Sequence, residues 1–180
     1  MKKFKKLVAL ILVGVMAMAM LTACGGGSGG SKSFEAQVED AVFAVYSQAF
    51  GVKTNDAEAK ELAQKSLGYI KNGKFYSNDM INCMKVDGNK IAFAMPLPAE
   101  DAEENDNYYT VMEITPEMLA ELKSADISDA DIGEMNEMLK EYEAMGFKVT
   151  GLGVAAKTIN GKTYVAFGLK MEIDTSKLPQ

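Results

Sequence analysis

The chain of 180 residues contains no histidine, no arginine and no tryptophan, and it has only two cysteines, Cys24 and Cys83. Without histidine, nucleophiles of the serine–histidine–aspartate and cysteine–histidine types are excluded, together with imidazole metal ligands. Without arginine, no guanidinium can hold a phosphate or a carboxylate with two parallel hydrogen bonds. Two cysteines are too few for a site of four thiolates. We therefore predict no catalytic residue, expect no resident cofactor, and favour a role other than catalysis.

The first 24 residues have the layout of a secretory signal peptide. Four lysines lie among residues 2–6, and an uncharged, predominantly apolar run follows over residues 7–21. This run of 15 residues is shorter than the roughly 20 residues that a membrane-spanning helix needs. It ends in Leu21-Thr22-Ala23-Cys24, where small residues directly precede a cysteine.

The segment Leu21-Thr22-Ala23-Cys24 resembles the lipobox of bacterial lipoprotein precursors. The resemblance implies cleavage before Cys24, diacylation of the Cys24 sulfur, and attachment to the extracytoplasmic face of a cell membrane. Two or more acyl chains hold a protein stably on a bilayer, whereas a single chain does not. The bilayer is therefore the first expected partner. No motif in residues 34–180 identifies a family.

The resemblance also divides the chain into three parts. Residues 1–23 are the predicted signal peptide. Residues 24–33 are the lipidated cysteine and a flexible glycine and serine tether. Residues 34–180 are long enough to bury one hydrophobic core and are predicted to form a single domain.

Cleavage before Cys24 would make the chain more acidic. The whole chain has 19 lysines and 25 acidic residues, and the removed segment holds four lysines and no acid, so the remainder carries 15 − 25 = −10 charges. Nucleic acid repels such a chain and is not expected as a partner. Cys83 would be left as the free thiol, and a small core residue is its better interpretation.

Helices are predicted in two pairs. Ser33 can cap a first helix over residues 34–49, and Asn55 with Glu58 forms a capping box for a second helix that ends at Asn72-Gly73. Later in the chain, Thr115-Pro116 begins a short helix that ends near residue 124.

A fourth helix is predicted to begin at Ser128 and to end at Gly146, with Met145 on its apolar stripe. The stripe assigns Met145 to the core.

Strands are predicted between the helix pairs and after them. Met80–Val86 and Lys90–Leu97 flank a turn at residues 87–89, in which either Asp-Gly or Gly-Asn can occupy the two central positions. Tyr108–Ile114 is a third strand. The order ααβββααββ predicts an α+β domain whose antiparallel sheet has about five strands, with helices packed mainly on one face.

The last hairpin has the best-determined register. Asn160-Gly161 is a favoured two-residue turn, which places Ile159 opposite Lys162 and continues back to Thr150 opposite Met171. Three of the pairs on one face are fully apolar.

In this register Gly153 lies opposite Gly168. Opposed glycines indicate a bend in the sheet, or a close approach by another backbone or by a ligand. We predict a ligand-binding cleft here, between sheet and helices, at Gly151, Gly153, Tyr164 and Gly168.

Residues 100–143 are strongly acidic, with 15 acidic residues and two lysines. Calcium and similar cations prefer six to eight oxygen ligands, so the segment offers a candidate metal site. A solvated loop is the alternative that the spacing favours, because no calcium-binding loop pattern is present. The candidate ligands are Glu100, Asp101, Glu103, Glu104 and Asp106.

Three functions remain as hypotheses. The first is a non-catalytic lipoprotein that binds a small molecule, a peptide or a protein of the cell envelope. The second is a hydrolase that acts on envelope material with two carboxylates. The third is an acidic, cation-binding accessory subunit.

Overall fold

The computed structural model describes residues 32–99, 107–124, 137 and 139–177. Short 3-10 helices cover Ser77–Cys83 and Thr175–Lys177. The other elements, in chain order, are α1 Phe34–Phe50, α2 Ala57–Leu67, β1 Lys74–Tyr76, β2 Met84–Asp87, β3 Lys90–Pro96, β4 Tyr108–Thr110, α3 Pro116–Ser124, α4 at 139–144, β5 Phe147–Ile159 and β6 Lys162–Ile173.

The strands form two antiparallel sheets. The main sheet has four strands in the order β2-β3-β6-β5, and β1 pairs with β4 in a separate two-stranded sheet. The α+β class is confirmed. The strand count differs from the prediction, because the described residues form six strands in two sheets instead of about five in one.

The first helix begins as predicted, whereas the second has a different cap. Ser33 Oγ accepts a hydrogen bond from the Ala36 amide at 3.2 Å. At α2, Asp56 Oδ1 accepts from the Ala59 amide at 2.9 Å. Asn55 is therefore not the cap, and the predicted capping box is wrong. The Asn55 side chain instead binds the backbone of β5, where its oxygen accepts a hydrogen bond from the amide of Val154 at 3.0 Å.

The second helix ends at Leu67, several residues before the predicted stop. Asn72 and Gly73 have φ angles of 52° and 72° and form a tight two-residue turn. Lys71 and Lys74 exchange two backbone hydrogen bonds of 3.0 Å across it. The turn leads into β1, a strand that the sequence analysis did not predict, because Asn-Gly can end a helix as readily as it can turn a hairpin.

Two of the predicted middle strands are shorter than expected. Most of the predicted strand at 80–86 is a 3-10 helix, and the strand itself is Met84–Asp87. In the turn that follows β2, Gly88 and Asn89 occupy the two central positions, and Gly88 has a φ of 58°. Of the two alternatives that the sequence leaves open, Gly-Asn is therefore the correct one. The strand predicted at 108–114 is limited to β4, which pairs outside the main sheet.

The second pair of helices agrees with the prediction where it is described. Thr115 Oγ1 accepts from the amide of Met118 at 3.3 Å and caps α3. The predicted start at Ser128 lies outside the described residues. Gly146 follows α4 with a φ of 91°, as a helix stop requires. Met145 is 47% exposed, so its assignment to the core is wrong. The reason is that Met145 follows the last helical residue and does not lie on the apolar stripe of α4.

The hairpin of β5 and β6 has the predicted register along most of its length. Ile159 lies opposite Lys162, and the pairing continues without a shift to Gly151 opposite Lys170. A β-bulge between Val149 and Gly151 then puts Val149, not Thr150, opposite Met171. A bulge adds one unpaired residue to a strand, and turn chemistry at the far end of the hairpin does not encode it.

The helices α1 and α2 pack on opposite faces of the main sheet, rather than mainly on one. A Cβ atom added to Gly153 would lie 2.1 Å from Lys60 N, so the backbone of α2 rests directly on that face. Phe167 points to the other face, because adjacent strand residues alternate. There its ring stacks on Tyr46 of α1 with 5.7 Å between the ring centroids.

Replacing Gly153 with alanine should be strongly destabilising. The new methyl group would overlap backbone atoms of α2, which cannot rotate away, so we expect the free energy of unfolding to fall by about 3 kcal/mol, the upper end of the usual overpacking range. Gly68→Ala is the matched control, because Gly68 has a φ of −67° and its added Cβ would meet only a carbonyl oxygen at 3.1 Å.

The control should change the same free energy by less than about 1 kcal/mol. Urea denaturation of both variants measures the difference. Equal losses in the two variants would contradict the direct contact between α2 and the sheet.

Candidate binding surface

The predicted glycine cleft is occupied by the protein itself. Gly153 and Gly168 lie side by side, and a Cβ on Gly168 would lie 2.2 Å from Ala59 O. Gly151 is next to them, where an added Cβ would lie 3.2 Å from Asp56 Oδ2. The opposed glycines predicted a bend, a ligand or a close approach by another backbone, and the structure shows the last of these. The backbone of α2 lies against both glycines and leaves no room for a ligand at Gly153 and Gly168.

Tyr164 lies in β6, the strand that also contains Gly168, and it is buried. Its hydroxyl is near the turn before β1, 3.5 Å from where a Cβ on Gly73 would be. Its backbone forms a bridge to Glu113, beyond β4. Tyr164 therefore packs against the small sheet and its connection, and it does not line an open cleft.

The candidate metal ligands Glu100, Asp101, Glu103, Glu104 and Asp106 lie outside the described residues. Within the described ranges, no group of three or more acidic, cysteine or histidine side chains is placed to hold a metal ion.

Four of the described carboxyl groups are stabilised in their charged form. Lys170 donates to Glu58 and lowers the pKa of that carboxyl, and Ser176 does the same for the pKa of Asp174. The pKa values of Glu35 and Glu117 are also lowered. The general acid of a two-carboxylate hydrolase needs a raised pKa. The carboxyl pKa shifts resolved in the described residues are all downward.

A shallow polar cleft of about 480 Å³ lies where β6 leaves the main sheet. Its backbone is tied together, because Gly146 O accepts from the amide of Asp174 at 2.7 Å. The charged side chains around it have both signs, so the cleft favours neither anions nor cations. These are Glu143, Lys148, Glu172, Asp174 and Lys177.

The two edges of the main sheet differ sharply. At β5 the edge is closed along residues 152–156: Asn55 binds the backbone of Val154, Leu152 O accepts from the amide of Asp56 at 2.7 Å, and the amide of Ala156 donates to Glu39 at 3.0 Å. The other edge strand is β2, and no strand in the described part of the chain pairs with its outer side.

The edge at β2 is also apolar. Ile81, Met84 and Val86 are 75%, 40% and 64% exposed, although they lie within six consecutive residues. Met84 pairs with Phe93, which is buried, so the exposed side chains continue the apolar face of the sheet to its border. We call Ile81 together with Met84–Asp87 the open edge.

The open edge is the best candidate for a binding surface. A strand with unpaired backbone groups and apolar side chains can accept a further strand from another chain. The sequence indicates a strand with alternating apolar and charged residues at 84–87, but its place at the border depends on the strand order, which no local pattern specifies.

Cys83, which lies between Ile81 and Met84 of the open edge, is fully buried. Burial raises the pKa of its thiol to about 11. This agrees with the interpretation of Cys83 as a core residue.

Cys83 should therefore resist alkylation in the native protein. At pH 8 a thiol with a pKa of about 11 is roughly 0.1% thiolate, whereas an exposed cysteine is about a quarter thiolate. In a Cys24→Ser background, we expect iodoacetamide to modify Cys83 at least about 100-fold more slowly than a cysteine at position 84 in Met84→Cys. Mass spectrometry over time measures both rates, and similar rates would show that Cys83 is accessible.

None of the helices in the described ranges is long and apolar enough to cross a membrane. In the comparisons with known proteins, no family matches the chain, and no curated protein or solved structure is significantly similar to it.

Proposed function

We propose that this chain is an extracytoplasmic lipoprotein, held on a cell membrane by acyl chains on Cys24, whose α+β domain binds another protein. The observation that carries the proposal is the N-terminal order: a basic start, 15 residues without charge, Leu21-Thr22-Ala23-Cys24, and then glycine and serine. Each part has a place in lipoprotein processing, and they follow one another in the required order.

The start of the domain supports this arrangement. Helix α1 begins at Phe34 and is capped by Ser33, so the tether of residues 25–31 leads almost directly into it. From its glycine and serine composition, a tether of seven residues is expected to span about 15 Å. A domain on such a tether would remain near the bilayer surface, where its binding partners would also be confined.

A binding role is supported by the chemistry of the described residues. The thiol of Cys83 is buried and its pKa is raised, so it is unsuited to nucleophilic attack. The resolved carboxyl pKa shifts are downward, which does not suit a general acid. The open edge, by contrast, has exposed apolar side chains and a strand border that no described strand occupies, as protein docking uses.

Metabolic labelling with an alkyne analogue of palmitate tests the anchor. We expect the wild-type chain to be labelled, recovered with membranes and shortened by residues 1–23. Cys24→Ser should lose the label and retain the signal peptide, because the acylated sulfur is absent.

Cys83→Ser is the matched control, since it removes the other cysteine and should leave the labelling unchanged. An unlabelled wild-type chain, a label that persists in Cys24→Ser, or a full-length precursor in the cytosol would each contradict the anchor.

A further inference from the structure

The backbone of the open edge points outward at two residues. Asp87 and Lys90 flank the two-residue turn at Gly88 and Asn89, and such a flanking pair is hydrogen-bonded in a hairpin. Bonded and non-bonded pairs alternate along an antiparallel ladder. The N–H and C=O groups of Val86 and Met84 therefore point away from β3, toward the border of the sheet.

The side chains of β2 are self-complementary in charge. Lys85 and Asp87 point to one face, and Met84 and Val86 to the other. If two copies of β2 pair antiparallel with Val86 opposite Val86, then each Lys85 lies opposite the Asp87 of the other copy. Opposite charges in directly facing positions stabilise a strand pair.

Other registers lack this complementarity. Placing Met84 opposite Val86 puts Lys85 against Lys85, and placing Val86 opposite Gly88 puts Asp87 against Asp87. Like charges in facing positions destabilise a strand pair. Pairing Met84 with Met84 brings no two charges together. Only the register centred on Val86 combines outward backbone groups with two opposite-charge pairs.

The same register also covers the exposed apolar side chains. The two-fold axis runs through the Val86 pair, perpendicular to the sheet, so both copies present Met84 and Val86 on the same side. Each copy would then cover Met84 and Val86 of the other, which are 40% and 64% exposed in the single chain. Lys85 lies 3.5 Å from Glu58 of its own chain, but both side chains are half-exposed, and such a pair restrains Lys85 only weakly.

We propose that the partner of the open edge is a second copy of this chain, joined through antiparallel pairing of β2 centred on Val86 into one eight-stranded sheet. This inference deepens the proposed binding role by naming the partner. It does not depend on the lipid anchor, which palmitate labelling tests separately.

Charge reversal on full-length chains tests the register. Two forms with different C-terminal tags are co-expressed and extracted in mild detergent, one tag is captured, and the other is quantified. Wild-type forms should be isolated together. When both tagged forms carry Lys85→Asp, or both carry Asp87→Lys, the two facing pairs become repulsive. Recovery of the second tag should then fall at least about tenfold.

The mixed combination is the decisive one. When Lys85→Asp is expressed with Asp87→Lys, every facing pair is again of opposite charge, and recovery should return to near the wild-type level. Because recovery requires both variants to be folded, a loss in the single variants cannot then be attributed to unfolding.

A second pair of variants tests the backbone contact. Val86→Pro removes the outward N–H without removing a hydrogen bond to β3, and it should abolish association. Val86→Thr keeps the N–H and the branched shape, and it should associate like the wild type.

Several results would overturn the proposal. If wild-type chains are not isolated together, the open edge belongs to an extended segment of a different protein. If all combinations associate equally, the copies meet elsewhere or only share a micelle. Association that survives Val86→Pro, or mixed variants that fail to recover, would exclude the register centred on Val86.

Discussion

The close contact between the backbone of α2 and the glycines of the β5–β6 hairpin determines the arrangement of the whole domain. Lys60 N and Ala59 O occupy the space that side chains at positions 153 and 168 would fill. Small residues surround the contact, since Ala63, Ala94 and Ala166 are all fully buried. At its border Lys170 is 3.0 Å from Glu58 and 3.4 Å from Asp56, which fastens the start of the helix to the sheet.

This contact has a consequence at each edge of the sheet. With α2 in place, its cap Asp56 and the preceding Asn55 lie along the outer side of β5, and they satisfy its backbone at Leu152 and Val154. The middle of that edge is therefore closed. No described strand pairs with the outer side of β2, so the opposite edge keeps its outward backbone groups and exposed apolar side chains. Of the two edges in the described part of the chain, the one at β2 is therefore the better candidate for pairing with a further strand.

A local signal predicts the structure correctly where it has one physical outcome. Asn160-Gly161 between alternating strands specifies the hairpin register, and Ser33 and Thr115 mark helix starts. The predictions are wrong where one local signal has two possible outcomes. Asn72-Gly73 turns a short hairpin instead of ending a helix, and Asn55 binds a strand edge instead of capping α2. Those choices depend on segments far away in the chain.

The candidate site shows the same limit. The glycine pair at 153 and 168 was recognisable as a place of close approach, but the local pattern does not say whether a ligand or a helix fills it. The sequence predicts a strand at 80–86, of which the structure has Met84–Asp87, but the position of that strand at an open border follows from the strand order of the main sheet.

The most direct test of the account is a nuclear Overhauser measurement across the contact of α2 with the sheet. The structure predicts cross-peaks between an α proton of Gly153 and the amide proton of Lys60, and between an α proton of Gly168 and the α proton of Ala59. If both glycines show cross-peaks only to neighbouring strands and to water, the helix does not rest on them, and the cleft between sheet and helix is open.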